Sequence, residues 1–166
     1  MSEHWDAATF LLETLVLKAH DQDPDGPDLS FTKHNTRLSR QRNASEYRKT
    51  MQEVRPSADN GVHTDIKAAL EPILFNYISG VEGAHSVQRA RSLTVIVLTD
   101  GLWEGMSDCD EIIHTIVDFY KQLKQAMKGK IRKRQVSIQF IQFGDDDEAR
   151  ERLRRLDDDT PYRGVP

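Results

Sequence analysis

An acidic residue stands where a strand should stop. Leu93 to Thr99 reads Leu-Thr-Val-Ile-Val-Leu-Thr, a run of β-branched and apolar residues that Asp100-Gly101 ends abruptly. Such a run, with no polar alternation, predicts a strand covered on both faces, the pattern of parallel sheets. Ligands of open α/β sheets gather outside the carboxyl ends of the strands, so a carboxylate at position 100 would meet a cation or a polar partner. The same dipeptide also opens turns, and the residues alone leave both readings open for Asp100. Thr64, just ahead of an apolar helical pattern, offers a hydroxyl that would cap free backbone N–H groups.

Other reactive side chains point to less. Asp21 to Asp28 reads Asp-Gln-Asp-Pro-Asp-Gly-Pro-Asp, which suggests calcium until its order is compared with an EF-hand loop, whose distal glutamate it lacks. Turn composition accounts for it. The six histidines, His4, His20, His34, His63, His85 and His114, show no metal-ligand spacing and read as surface or packing residues. Lys128 to Arg134 holds five basic residues in seven, but acidic triplets at Asp145 to Asp147 and Asp157 to Asp159 follow, so a solvated charged face is expected rather than a phosphate site. There is no Gly-x-Gly-x-x-Gly, no phosphate loop and no Gly-x-Ser-x-Gly elbow, which leaves an enzyme reading little to stand on.

Composition bounds the class. The 166 residues fit one domain, large enough to bury roughly two thirds of its unfolded surface. Charged residues make up 30% against 37% hydrophobic, but the signs are mixed and the net charge is −4, so neither a nucleic-acid footprint nor a disordered acidic tail is expected. The single cysteine, Cys109, excludes an intramolecular disulfide framework and a cysteine-rich zinc site and fits a reducing compartment. No apolar run reaches membrane-spanning length, and Met1 to Asp6 carries no secretory pattern, so a cytoplasmic address without a membrane partner is expected.

The elements that must position these residues alternate in period. Trp5, Ala8, Leu12, Leu15, Val16 and Ala19 make one apolar stripe of a first helix, with Ser2 available as its cap. A turn-rich segment to Asp28 leads into a short strand over Leu29 to Thr32, and the polar stretch from Lys33 to Arg42 reads as a solvated loop. Ser45 to Val54 reads as a short helix, and Ile66, Leu70, Ile73, Leu74, Tyr77 and Ile78 mark a strong one. Gly80 to Arg91 is a connector to the Leu93 strand. Ser107 and Asp110 form a capping box for a helix burying Ile112, Ile113, Ile116, Phe119, Tyr120, Leu123 and Met127. Val136 to Phe143 alternates at first, which suits a strand near a sheet edge, and Asp145 and Glu148 cap a terminal helix through Leu156. Strand, loop and helix in repetition predict an α/β fold, a doubly wound and mainly parallel sheet flanked by helices.

Two stretches then carry a resemblance. Gly-x-x-Thr-Asp-Ile-x-x-Ala-Leu at Gly61 to Leu70, and Leu-Thr-Val-Ile-Val-Leu-Thr-Asp-Gly at Leu93 to Gly101, resemble a von Willebrand factor type A domain of the intracellular kind. The helix from Trp5, the Asp25-Gly26-Pro27-Asp28 turn and Val136 to Gly144 fit corresponding elements, so the resemblance extends over nearly the whole chain. It implies a metal-ion-dependent adhesion site, where an Asp-x-Ser-x-Ser loop, one threonine and one aspartate hold a magnesium-like ion that prefers hard oxygen ligands. The threonine maps onto Thr64 and the aspartate onto Asp100.

The pattern also departs from the family. No Asp-x-Ser-x-Ser occurs, and Met1 falls where the residue after that motif should be. The resemblance therefore implies a single vWA-like domain over residues 1–166, incomplete at both ends and lacking the first, central strand, which in this topology lies between the second and fourth. With Thr64 and Asp100 alone remaining, Mg2+ binding is expected to be weak or lost. The implied function is a non-enzymatic protein-interaction module whose partner offers an acidic side chain to the metal. The alternatives are a metal-independent scaffold and a fragment of a larger protein of this family. Self-association through the vacated strand position is expected as well.

Overall fold

Helical spacing near the amino terminus selects the residues that are buried there: α1 (Trp5–Ala19) buries Trp5, Ala8 and Val16 along one side. The computed structural model describes every residue except 21–22, 24, 34–35, 40–42, 57–63, 84–89, 104–109 and 163–166. The chain divides into two units, Met1–Thr64 and Asp65–Pro166, each built on its own contacts.

In the first unit, a 3-10 turn over Ser2–His4 leads directly into α1, and no side chain caps the helix. Ser2 is thus not the cap; the turn's own backbone bond, His4 N to the Met1 carbonyl at 3.1 Å, takes up a donor there instead. α2 (Ala44–Glu53) starts at Asn43, whose side chain accepts from Ser45 N at 3.0 Å. The two helices are tied by the Trp5 indole, which donates to the Met51 carbonyl at 2.7 Å in a buried position. The expected strand at Leu29 is shorter than read, β1 (Leu29–Ser30), and its partner β2 (Arg37–Leu38) lies inside the stretch expected to be a loop. Two residues show no period, and their pairing rests on register with Leu29 and Ser30 and on Arg37 with Asp28, at 3.1 Å, neither of which is local in sequence.

In the second unit, α3 (Ile66–Glu82) and α4 (Asp110–Ala126) flank β3 (Leu93–Thr99) in sequence, followed by β4 (Val136–Gln142) and α5 (Asp147–Tyr162). β3 and β4 pair in parallel, from Leu93 with Val136 to Thr99 with Gln142. The apolar sides of the helices meet in one core that includes Leu74 of α3, Ile112 and Phe119 of α4, Val95 of β3 and Leu156 of α5, with Phe140 of β4 packed against it. The architecture is mixed α/β, with five α-helices and two two-stranded sheets among the described residues.

Two local expectations are corrected by where the helices begin. α3 is capped by Asp65, whose carboxylate accepts from Ala68 N at 2.9 Å, not by Thr64. α5 is capped by Asp146, accepting from Ala149 N at 2.8 Å, not by Asp145. Each cap is the residue directly before the first helical one, the position from which a short oxygen reaches the free N–H groups. Ser107 lies outside the described residues; Asp110 and Glu111 do occupy the first turn of α4.

β3 is also not covered on both faces. Val95 and Thr99 are buried on one side, whereas Thr94 is exposed and Ile96 is 37% exposed on the other. Alternation absent from the sequence is therefore present in the burial, because the core lies against one face of the pair. At the amino ends of the strands, buried Gln135 donates to the Arg91 carbonyl at 3.1 Å and accepts from Arg132 Nε at 2.6 Å. Its amide also meets the Tyr77 hydroxyl, which donates to the Arg91 carbonyl at 2.6 Å. Arg132 is thereby tied to Gln135, although it stays exposed, as do Lys128, Lys130, Lys133 and Arg134.

Candidate functional site

Asp100 follows the last residue of β3, at the carboxyl end of a parallel pair, as the strand pattern predicts. What surrounds it is a loop held at several points. Thr99 is buried, and its hydroxyl oxygen accepts from Gly101 N at 2.9 Å and from the Trp103 indole at 3.0 Å. Asp100 Oδ1 accepts from Leu102 N at 3.2 Å, the two-residue reach by which aspartate builds a turn. Gly101 has φ +77°, and a Cβ there would lie 2.5 Å from the Cβ of Ala149 on α5. Glycine is needed at this position both for its backbone conformation and for the approach of α5.

The α5 helix closes the loop from the other side. Arg152 donates to the Gly101 carbonyl, and its guanidinium lies 5.5 Å from the centroid of the Trp103 ring. Trp103 also packs against Phe140 of β4, with ring centroids 6.1 Å apart. Further along α5, Arg155 meets Asp110 of α4 at 3.3 Å. Trp103, Ala149 and Arg152 thus shape the candidate site, and the sequence reading missed all three. A short-range signal existed only for Trp103, an aromatic two residues beyond Asp-Gly; Arg152 is 51 residues from the carbonyl it bonds.

A divalent cation fits this end of β3 poorly. One oxygen of Asp100 is engaged by the loop backbone, and a permanent positive charge, Arg152, is bonded to the carbonyl of the next residue. No group of three or more His, Cys, Asp or Glu side chains able to hold a metal is found among the described residues. Likewise, no buried side-chain nitrogen or oxygen among them lacks a hydrogen-bond partner. Thr64, the other position mapped to a cation, closes the first unit and is half-buried; it and Asp100 are each described within their own unit.

Two clefts lie elsewhere. One of about 420 Å³ runs between α3 and α4, lined by Lys67, Glu71, Phe75, Glu111, His114 and Asp118, with Lys67 and Glu111 paired at 3.5 Å. The other, about 350 Å³, lies between α1 and α2 in the first unit, beside the exposed Phe10 and Leu17. The acidic segment near Asp21 falls partly outside the described residues; Arg37 pairs with its last member, Asp28. No helix among the described residues is long and apolar enough to cross a membrane.

Taken by its elements, the second unit is a parallel β-α-β arrangement with helices packed on one face of the pair. No protein-family model matches the chain, no curated protein matches it, and no solved structure matches it.

Proposed function

We propose that this chain is a non-enzymatic protein-interaction module of the von Willebrand factor type A kind, with a doubly wound sheet and with divalent cation binding weak or lost. The observation that carries the reading is the in-register parallel pair of β3 and β4, joined through α4, with Asp100 at the carboxyl end of β3. Ligands of parallel α/β sheets gather at that end. Asp100 would be the remnant of a Mg2+ site at this end of β3, and an acidic side chain of a protein partner would complete it. Arg152 and the Leu102 amide already answer charge and hydrogen-bonding capacity in this loop, which supports a weakened site over a working one.

The test is a thermal melt with and without millimolar Mg2+. A ligand whose dissociation constant is no lower than its concentration shifts the midpoint by less than about 2 °C in a chain of this size. A larger shift that disappears in Asp100→Asn would overturn the weakened site and establish a functional one. Pull-down of partners with the chain as bait, with and without EDTA, then separates metal-dependent from metal-independent binding. The second reading, a metal-independent scaffold, is favoured by a separate observation: the open face of β3 carries exposed Ile96 and half-buried Leu98.

A further inference from the structure

We infer that the basic turn between α4 and β4 docks on an anionic bilayer surface, held there reversibly by charge. The inference needs only the fold of the second unit and is separate from the cation reading. Seven of the chain's 23 basic residues and none of its 27 acidic ones lie between Phe119 and Gly144. Acidic triplets follow this run in sequence, but the fold holds them toward the other end of the unit. Asp145 follows β4 whereas Arg134 precedes it, and seven extended residues separate the two by about 20 Å. Arg155, two residues before Asp157 on α5, meets Asp110 at the start of α4, while Lys128 lies beyond the end of α4. The seventeen residues of α4 span about 25 Å. Both distances exceed two Debye lengths of about 8 Å at physiological salt, so these acids do not neutralise the run.

The turn is fixed and its cations are exposed. Gly129 N donates to the Lys124 carbonyl at 2.8 Å and Lys130 N to that of Met127 at 2.9 Å, closing the end of α4. Arg132 is tied to Gln135 and donates to the Ala90 carbonyl, and Ile131 packs against the core. Lys124, Lys128, Lys130, Lys133 and Arg134 are exposed, and none of them pairs with a carboxylate among the described residues. Elsewhere Arg37, Arg48, Arg55, Arg150, Arg154 and Arg155 are all ion-paired. A helix C-terminus favours a cation or two, which accounts for Lys124 and Lys128 but not for the other three. Lys128 and Arg134 moreover hold φ +51° and +58°, where glycine or asparagine is easier, so local stability does not select a long cation at either place. Glu82, where α3 ends ahead of β3, is one exposed carboxylate against five cations.

Charge complementarity calls for an anionic partner, and the side chains select its kind. Four of the five cations are lysines, point charges on flexible stems, whereas recognition of one phosphate or carboxylate favours the planar fork of arginine. Neither cleft described above is lined by them, so they face a broad surface and not a single enclosed group. No aromatic ring of the second unit is exposed among the described residues, which leaves the bases of a nucleic acid nothing to stack on. A bilayer with anionic headgroups requires neither fork nor ring. Each lysine or arginine near such a surface adds to binding, at about fivefold in affinity apiece. Charge as the sole signal makes the contact weak and reversible.

The test is co-sedimentation of the whole chain with vesicles of phosphatidylcholine, alone or with about 30% phosphatidylserine, at about 0.1 M salt. Binding is expected to the anionic vesicles only, falling about tenfold or more when salt is raised to about 0.5 M. Lys130→Gln with Lys133→Gln removes two exposed charges and should weaken binding by about twentyfold or more, with circular dichroism unchanged. Lys18→Gln with Lys49→Gln changes the net charge equally, at exposed positions of α1 and α2, and should leave binding as it was. Equal binding to the neutral vesicles, or none to either kind, overturns the inference. So does an equal loss in the two double variants, which would make net charge the cause. Duplex and single-stranded DNA at the same phosphate concentration form the competing arm. Tighter binding to either than to the anionic vesicles would make nucleic acid the partner and overturn the inference as well.

Discussion

Replacing Gly101 with alanine tests the loop that carries Asp100 more directly than changing Asp100 itself. The added Cβ meets two obstacles. With φ +77°, any L-residue other than glycine adopts a left-handed conformation, at a cost of about 1–2 kcal/mol. The Cβ also lies 2.5 Å from the Cβ of Ala149 and 3.2 Å from its Cα, where carbon atoms prefer about 3.5–4 Å. Ala149 cannot yield cheaply: it is fully buried, and its N–H is held by the capping carboxylate of Asp146 at 2.8 Å. Overpacking of this kind costs about 1–3 kcal/mol, so Gly101→Ala should destabilise the second unit by about 2–5 kcal/mol in total. The assay is urea unfolding followed by circular dichroism, with amide exchange of Val95 and Val97 reporting on the second unit. Ala149→Gly removes the collision and leaves the backbone strain. Alone it should cost about 1–2 kcal/mol, from helix propensity and a lost buried methyl. Combined with Gly101→Ala it should recover about 1–3 kcal/mol relative to the sum of the single changes. If Gly101→Ala unfolds at the same urea concentration as the parent, or if the two changes simply add, α5 is not seated against this loop and the account of the site fails.

Three further outcomes follow from other parts of the second unit. Gln135→Leu leaves the Arg91 carbonyl and Arg132 without the amide between them, and should cost about 1–3 kcal/mol in urea unfolding; an unchanged midpoint would show that the network is not a clasp. Pro72 is exposed inside α3 and has no N–H for the helix ladder, so Pro72→Ala should stabilise the chain by about 1–3 kcal/mol, and a lower midpoint would contradict this. The Arg154 guanidinium hydrogen-bonds Glu151 at 2.7 Å and holds its carboxyl below the ordinary glutamate range. A depressed folded-state pKa contributes stability above the unfolded value of about 4.3 that is lost as pH falls through the folded one. Carbon-13 titration should place Glu151 below the ordinary glutamate value, and Arg154→Gln should return it there.

The second unit shows where local pattern ends and long-range contact begins. β3 and β4 were legible from seven-residue apolar or alternating runs, and α3 and α4 from apolar residues at three- and four-residue steps. Their caps were legible only to within a residue. Thr64 and Asp65, or Asp145 and Asp146, are all residue types that cap helices, and the choice between neighbours depends on where core packing starts the helix. β2 was not legible at all, since two residues carry no period.

At the candidate site, Asp100 and Gly101 announced a turn through their own chemistry, and the turn is there. The sequence could not announce that Arg152 would take the Gly101 carbonyl and the face of Trp103, or that Ala149 would press on Gly101, because those contacts span about fifty residues. By itself, then, the chain's order of residues determined the five helices, the two seven-residue strands and where its main turn falls, since hydrophobic period and side-chain reach act over a few residues. Only the tertiary structure decided which face of β3 is left open and which side chain takes the Gly101 carbonyl, since those depend on packing energies shared among elements far apart along the chain.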